Sequence, residues 1–236
     1  LGAKVHTASP VLSCRKGGDF YHLLTPNGTV KARQVCFATA GYTSPALHSL
    51  TRHRLMPILS NSVVTRPLTA DEREACGLRT GIPLTDTRTL RHYYRFLPDG
   101  RMQIGSRSAI TGADAPNSKH YDLLLAGLHR KLPALTGIEI DYSWWGWVDV
   151  SHDMMPRIVR PDPKQEIYYA MGYGGNGVMY SAQAGRRVAQ LMVGRGQELD
   201  LPIFTSELPS YGMLTPFRRI GQRAMYRWYA RKDEIL

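Results

Sequence analysis

The chain has 236 residues, 43% hydrophobic and 21% charged, a balance that suits a globular protein with its own core and excludes a disordered or low-complexity chain. It carries 30 Lys and Arg against 19 Asp and Glu, a formal net charge of +11, so nucleic acid, an anionic membrane and an anionic ligand must each be weighed as partners. No apolar run approaches the ~20 residues of a membrane span, no signal peptide opens the sequence, and Cys14, Cys36 and Cys76 are too few and too widely spaced for a disulfide framework or a metal site, so a reducing, cytoplasmic setting is expected.

Residues 1–39 read as β structure. The run FYHLLT, the turn Pro26-Asn27-Gly28 and the run TVKAR give a hairpin signal. Val35, Cys36, Phe37 and Ala38 form a continuous apolar run, expected as a strand buried on both faces. A short helix is expected over residues 45–50 and a strand over 56–66. Thr69 and Glu72 have the spacing of a capping box. LRHYYRFL, Pro98-Asp99-Gly100 and RMQIGS make the clearest hairpin. Ser118 can cap a helix running to Lys131, with Tyr121, Leu124, Leu125, Leu128 and Leu132 inward and Pro133 stopping it. Residues 138–150 are β-branched and aromatic, another strand. Residues 201–215 are irregular. A final helix runs from Phe217 to about Lys232, with Phe217, Ile220, Ala224 and Trp228 on one face. That face is expected to pack on the protein while Arg219 and Arg223 stay in water. Elsewhere the arginines are scattered, so no nucleic-acid surface is expected.

Residues 166–194, EIYYAMGYGGNGVMYSAQAGRRVAQLMVG, read as strand, glycine turn, helix. Val178, Ala182, Gly185, Ala189 and Met192 recur at helical spacing, so a narrow face could lie close to a sheet. A helix N-terminus offers unpaired N–H groups, and glycines let a ligand approach the backbone. The turn can therefore hold a phosphate, a carboxylate or a flavin carbonyl. It can equally be a strand-to-helix connection that needs glycine for its dihedrals. Gly172, Gly174 and Gly177 also fit a dinucleotide fingerprint, which would require a parallel strand after the helix ending in an acidic residue. Glu198 and Asp200 come too early for that, and Pro202 interrupts the candidate strand.

Four segments in order carry a resemblance: VCFATAGYT (35–43), DTRTLRHYYRFLPDGRMQIGSRS (86–108), DYSWWGWVDVSHDMMPRI (141–158) and the glycine turn with its helix. Together they cover nearly the whole chain. They resemble the C-terminal portion of FAD-dependent amine and amino-acid oxidoreductases of the D-amino acid oxidase superfamily, closest to its gamma-glutamylputrescine oxidoreductase and glycine oxidase-like members. The resemblance implies an α/β (α+β) fold: a partial glutathione-reductase-type FAD domain (residues 1–46 and 150–200) interleaved with a mixed-sheet substrate domain (47–149), then a C-terminal tail and helix (201–236). The N-terminal Rossmann βαβ unit of such proteins is absent from this sequence, so a further FAD-binding segment is an implied partner.

The resemblance also implies roles. Non-covalent FAD would be met by Thr39, Ala40 and Gly41 and by Gly172, Gly174, Gly175, Asn176, Gly177 and Val178. The substrate, a primary or secondary amine or an amino acid, would be met by Tyr93, Tyr94, Arg107 and Trp144. Arg107 suits a carboxylate, whereas exposed arginine and sheet tyrosine are also common without a ligand. Asp153 and Pro156 are expected to shape a turn. Hydride would pass from the carbon bearing the amine to the flavin and then to oxygen or a quinone. No protein nucleophile is needed, and no catalytic side chain is assigned. A nicotinamide dehydrogenase and a non-enzymatic basic module are the alternatives.

Overall fold

The computed structural model describes residues 2–79, 81–196 and 200–235. In chain order its strands and helices are β1 (Ser13–Gly17), β2 (Phe20–Thr25), β3 (Gly28–Ala32), β4 (Val35–Phe37), β5 (Ile58–Pro67), α1 (Ala70–Cys76), β6 (Leu84–Thr85), β7 (Tyr93–Phe96), β8 (Arg101–Ser106), α2 (Ser118–Lys131), β9 (Ile140–Val148), β10 (Arg157–Val159), β11 (Ile167–Met171), α3 (Gly177–Met192), α4 (Pro202–Thr205) and α5 (Arg218–Ile235). They fall into two compact units, Leu1–Pro57 with Val148–Thr215, and Ile58–Trp147 with Pro216–Leu236.

The first unit holds two small sheets. β1, β2 and β3 form an antiparallel meander whose second turn closes at the Thr25–Gly28 pair, as its turn residues require. Tyr21 seals this meander from inside, and its hydroxyl accepts the Glu166 N–H. In the other sheet β11 pairs antiparallel with β10 and parallel with β4. All five residues of β11 are buried. The helix expected over residues 45–50 is replaced by a single 3-10 turn, Ser49–Thr51. There His48 Nδ1 accepts the Leu50 N–H and Ser44 Oγ the Ala46 N–H; such local bonds compete with a continuous helix.

Helix α3 covers this sheet, but not with the face expected. Tyr180, Ala184, Val188, Leu191 and Met192 meet Ile158, Tyr168 and Ala170. Val178 is fully exposed, and Ala182, Gly185 and Ala189 are exposed too. Two stripes at helical spacing compete on this helix. The bulkier one removes more apolar area from water, and burial free energy scales with that area.

The second unit is a five-stranded sheet ordered β6-β7-β8-β5-β9. Alternation sends Met102, Ile104 and Phe96 to one side, where they pack with Val63 against Leu124 and Leu128 of α2. Burying those two leucines contributes about 1.5–3 kcal/mol each. The α2 cap is Asn117, whose side chain accepts the Lys119 N–H, one residue before the expected Ser118. Asparagine is at least as good a cap as serine, and the earlier cap lets Ser118 enter the first turn.

The capping box on α1 forms as its spacing requires: Thr69 accepts from the Glu72 N–H and Glu72 from the Thr69 N–H. Glu72 also takes a two-pronged bond from Arg66 at 2.9 and 2.7 Å. The Arg66 fork, then the Thr69 N–H, pull the Glu72 carboxyl down to about 2. A depressed folded value contributes stability above the usual carboxylate range, and that stability is lost as pH falls towards about 2. A carboxyl-detected NMR titration should therefore show Glu72 titrating far below the other glutamates, and Arg66→Gln should return it towards them.

Helix α5 docks on the second unit through polar groups. Gln222 and Asp233 are buried, while Phe217, Ile220 and Trp228 are 60–63% exposed, the reverse of the expected orientation. Asp233 accepts the N–H groups of Thr89 and Leu90, both at 2.9 Å. Arg219, expected in water, bonds Gln222 at 2.8 Å and lies over the Trp147 ring. Directed bonds to a fixed loop set the rotation of this helix, and an apolar pattern cannot register them.

Candidate functional site

The parallel pairing of β11 with β4 brings two segments together. Tyr169 lies opposite Phe37, so both strands release their chains at one end of the sheet. Thr39, Ala40 and Gly41 follow β4, and the glycine turn follows β11. In sheets built this way the carboxyl ends of adjacent parallel strands are where ligands bind.

Gly172, Gly174 and Gly175 have φ of 87°, 61° and 101°, a region costly for any side chain with a Cβ. Asp149 fixes the turn from beneath. Its carboxylate accepts the Gly172 N–H, and its backbone oxygen accepts the Gly174 N–H at 2.9 Å. Asp149 is buried, and burial holds its carboxyl above the usual range even though the N–H bonds act the other way. Burial and the neighbouring Asp149 push the Tyr173 phenol up to about 12, so it stays neutral. Asn176 N–H closes the turn on the Tyr173 carbonyl.

The front of the turn is open. A Cβ on Gly175 would meet nothing within 4 Å. Asn176 makes no side-chain cap bond, and among the described residues no acceptor serves the N–H groups of Gly175, Gly177, Val178 and Met179. These unserved donors lie at the N-terminal, positive end of α3. Across the parallel pair, Ala40 holds φ at 46°, a strained conformation of the kind that persists where surroundings enforce it. Its carbonyl is gripped by the Thr43 N–H and hydroxyl at 3.2 and 2.7 Å.

Asp153 has the turn role expected of it. It accepts from the Ser151 hydroxyl and the Met155 N–H, and pairs with the buried Arg157 at 2.5 Å. This loop lies against the glycine turn: a side chain on Gly172 would meet the Met155 carbonyl and Ser151. Asp149, Tyr173 and Arg157 were not singled out from sequence. A carboxylate inside the apolar run WVDV was the available signal for Asp149, because an isolated charge in a buried run needs partners.

The four residues considered for substrate contact do not converge. Tyr93 lies on the sheet face away from α2, where its hydroxyl bonds Ser60 and Ser62 Oγ at 2.7 and 3.1 Å. Its ring crosses Gly105, where a Cβ would approach within 2.3 Å. Tyr94 points to the α2 side, with Lys131 near its ring. Arg107 donates to the Thr89 carbonyl and lines a cavity beside α2. Trp144 is half-exposed on the edge strand β9, beside Asn61 and Tyr121. A nicotinamide fingerprint would require a parallel strand after α3, and among the described residues no strand follows it; Glu198 lies outside the described residues, and Asp200 is exposed.

Comparison with known proteins fits this arrangement. The chain is 30% identical to the probable oxidoreductase OrdL of Rhizobium meliloti (strain 1021), over 99% of this chain and 53% of the relative. It is 30% identical to gamma-glutamylputrescine oxidoreductase of Escherichia coli (strain K12), over 89% and 48%. The chain thus spans about half the length of the curated relatives it matches. The fold is that of glycine oxidase from Bacillus cereus ATCC 14579, with a TM-score of 0.70 and 22% identity over 85% of this chain and 54% of that one. The profile of FAD dependent oxidoreductases, the DAO family, matches residues 1–191, which include the glycine turn and the strand ends beside it, and the chain belongs to that family.

Proposed function

We propose that the enzyme oxidises a primary or secondary amine, or an amino acid, using an FAD held without a covalent bond. The observation that carries this reading is the set of open backbone donors at Gly175, Gly177, Val178 and Met179, across the parallel pair from the strained Ala40. The residues fit the flavin: a flat ring with carbonyl edges needs close backbone approach and N–H donors, and the turn offers both. When bound, FAD would accept hydride from the carbon bearing the amine, leaving an imine that water hydrolyses. The chain's own part is to fix donors where negative charge grows, with Asp149 keeping them from reorganising. Non-covalent attachment is supported by the cysteines. Cys14 and Cys36 are shielded, and burial pushes both thiols up, away from the reactive thiolate.

The amine as substrate rests on the similarity to gamma-glutamylputrescine oxidoreductase. Tyr93, Tyr94, Arg107 and Trp144 cannot all meet one molecule, so Tyr93 is the proposed contact, with the hydroxyls of Ser60 and Ser62 around it. Oxygen or a quinone would then reoxidise the flavin. An anaerobic screen is the test. Amines should bleach the flavin, and 2-hydroxy acids and sugars should not; bleaching by alcohols alone would overturn the assignment.

A further inference from the structure

The second unit contains a cavity of about 530 Å³ between α2, α5 and the segments flanking β7 and β8, within the range of small-molecule sites. Six cations line it: Arg88, Arg107, Lys119, Arg130, Arg223 and Arg227. Its two carboxylates are already engaged. Asp114 pairs with Lys119 at 2.5 Å and His120 at 3.1 Å, and Asp233 holds the Thr89 and Leu90 N–H groups. Arg88 and Arg107 each tie one nitrogen to a backbone carbonyl, of Asp233 and Thr89, which fixes the forks in place. Arg130, Arg223 and Arg227 have no partner among the described residues. Arg223 and Arg227 stand one turn apart on α5 and so share a face.

His92 forms part of the wall: it is 3% exposed, with Nδ1 on Asp86 at 3.2 Å and Nε2 packed against Gly127 of α2. Leu90, Ile110 and Leu123 give the cavity apolar wall for the body of a molecule. Guanidinium forks match the oxygens of phosphate and carboxylate, and the three guanidinium groups of Arg130, Arg223 and Arg227, left without a counter-charge, favour an anion among them.

We propose that this cavity is a second binding site, for a multiply charged oxyanion: a phosphate ester or a polycarboxylate. It stands apart from the amine reading above, because none of its six cations lies on the sheet face of Tyr93.

The test is calorimetric titration of the flavin-loaded enzyme with inorganic pyrophosphate and with citrate, at fixed ionic strength. At least one should bind at a single site with a Kd below about 1 mM, and the tighter of the two identifies phosphoryl or carboxylate chemistry. The double variant Arg223→Gln/Arg227→Gln removes two exposed, unpartnered charges, so it should keep its melting temperature and flavin content while Kd rises roughly ten-fold or more. Ala230→Glu, which places a carboxylate in the lining, should weaken binding in the same way. The proposal is overturned if neither anion binds, or if these variants leave binding unchanged. It is also overturned if the anions merely raise KM as competitors of the amine, since the cavity would then be the amine pocket itself. Calorimetry reads binding without turnover, so loss of the amine reading would leave this result standing.

Discussion

Replacing Gly175 with valine is expected to leave the enzyme without most of its FAD and without turnover. Two effects contribute, and they can be separated. At φ of 101° any residue with a Cβ is strained, at a cost of about 1–3 kcal/mol. That alone lowers the melting temperature by roughly 2–4 °C per kcal/mol in a domain of this size. The larger effect is on binding. A Cβ at Gly175 meets nothing within 4 Å in the protein, so a valine there fills open space at the turn and blocks close approach of a ligand to its backbone. Gly185→Ala is the control. Gly185 lies on the exposed face of α3 outside the turn, has no positive φ, and its Cβ would meet nothing within 4 Å. It should keep flavin and fold alike. The flavin-to-protein absorbance ratio and the melting curve of each variant decide the matter. A Gly175→Val enzyme with full flavin and normal turnover would show that the turn only connects a strand to a helix.

The hairpins and the α1 capping box were legible in the sequence because their information is local. Pro26-Asn27-Gly28 and Pro98-Asp99-Gly100 carry their own dihedral preferences, and Thr69 and Glu72 are three residues apart. The glycine turn was legible for the same reason. What it faces was not, because the neighbour of Gly172 at the sheet end is set by the parallel register of Ile167 with Val35, and no periodicity encodes that pairing. The rotations of α3 and α5 failed for different reasons. Helix α3 carries two apolar stripes, and only the sheet beneath chooses between Ala182 and Ala184. Helix α5 is turned by Asp233 reaching Thr89, 144 positions earlier. Asp149 is likewise meaningful only once Gly172, 23 positions on, is folded against it. Charged residues with distant backbone partners are the common element in what sequence reading missed.

Asp233→Ala should be among the most damaging single changes to the second unit. The carboxylate takes two N–H groups at 2.9 Å on a loop that has no other acceptor for them among the described residues. Removing it leaves both donors partly shielded and unmatched, a loss of about 1–3 kcal/mol. Asp233→Asn keeps one acceptor but turns an amide N–H towards the other donor, so it should recover only part of that loss. The acid dependence gives an independent reading. Burial opposes ionisation of Asp233, but the Leu90 and Thr89 N–H groups and Arg88 outweigh it and hold the carboxyl below its usual range. A depressed folded value means the contribution is complete above the ordinary carboxylate range and fades as pH falls through the lowered one. The gap in melting temperature between wild type and Asp233→Ala should therefore be full near neutrality and narrow in acid. Arg223→Glu, exposed and unpartnered, should shift stability by no more than about 0.5 kcal/mol, whereas Arg219→Glu should cost more because Gln222 and the Trp147 ring hold that guanidinium. If Asp233→Ala melts like wild type at neutral pH, α5 is anchored by other contacts, and the polar docking described for it is wrong.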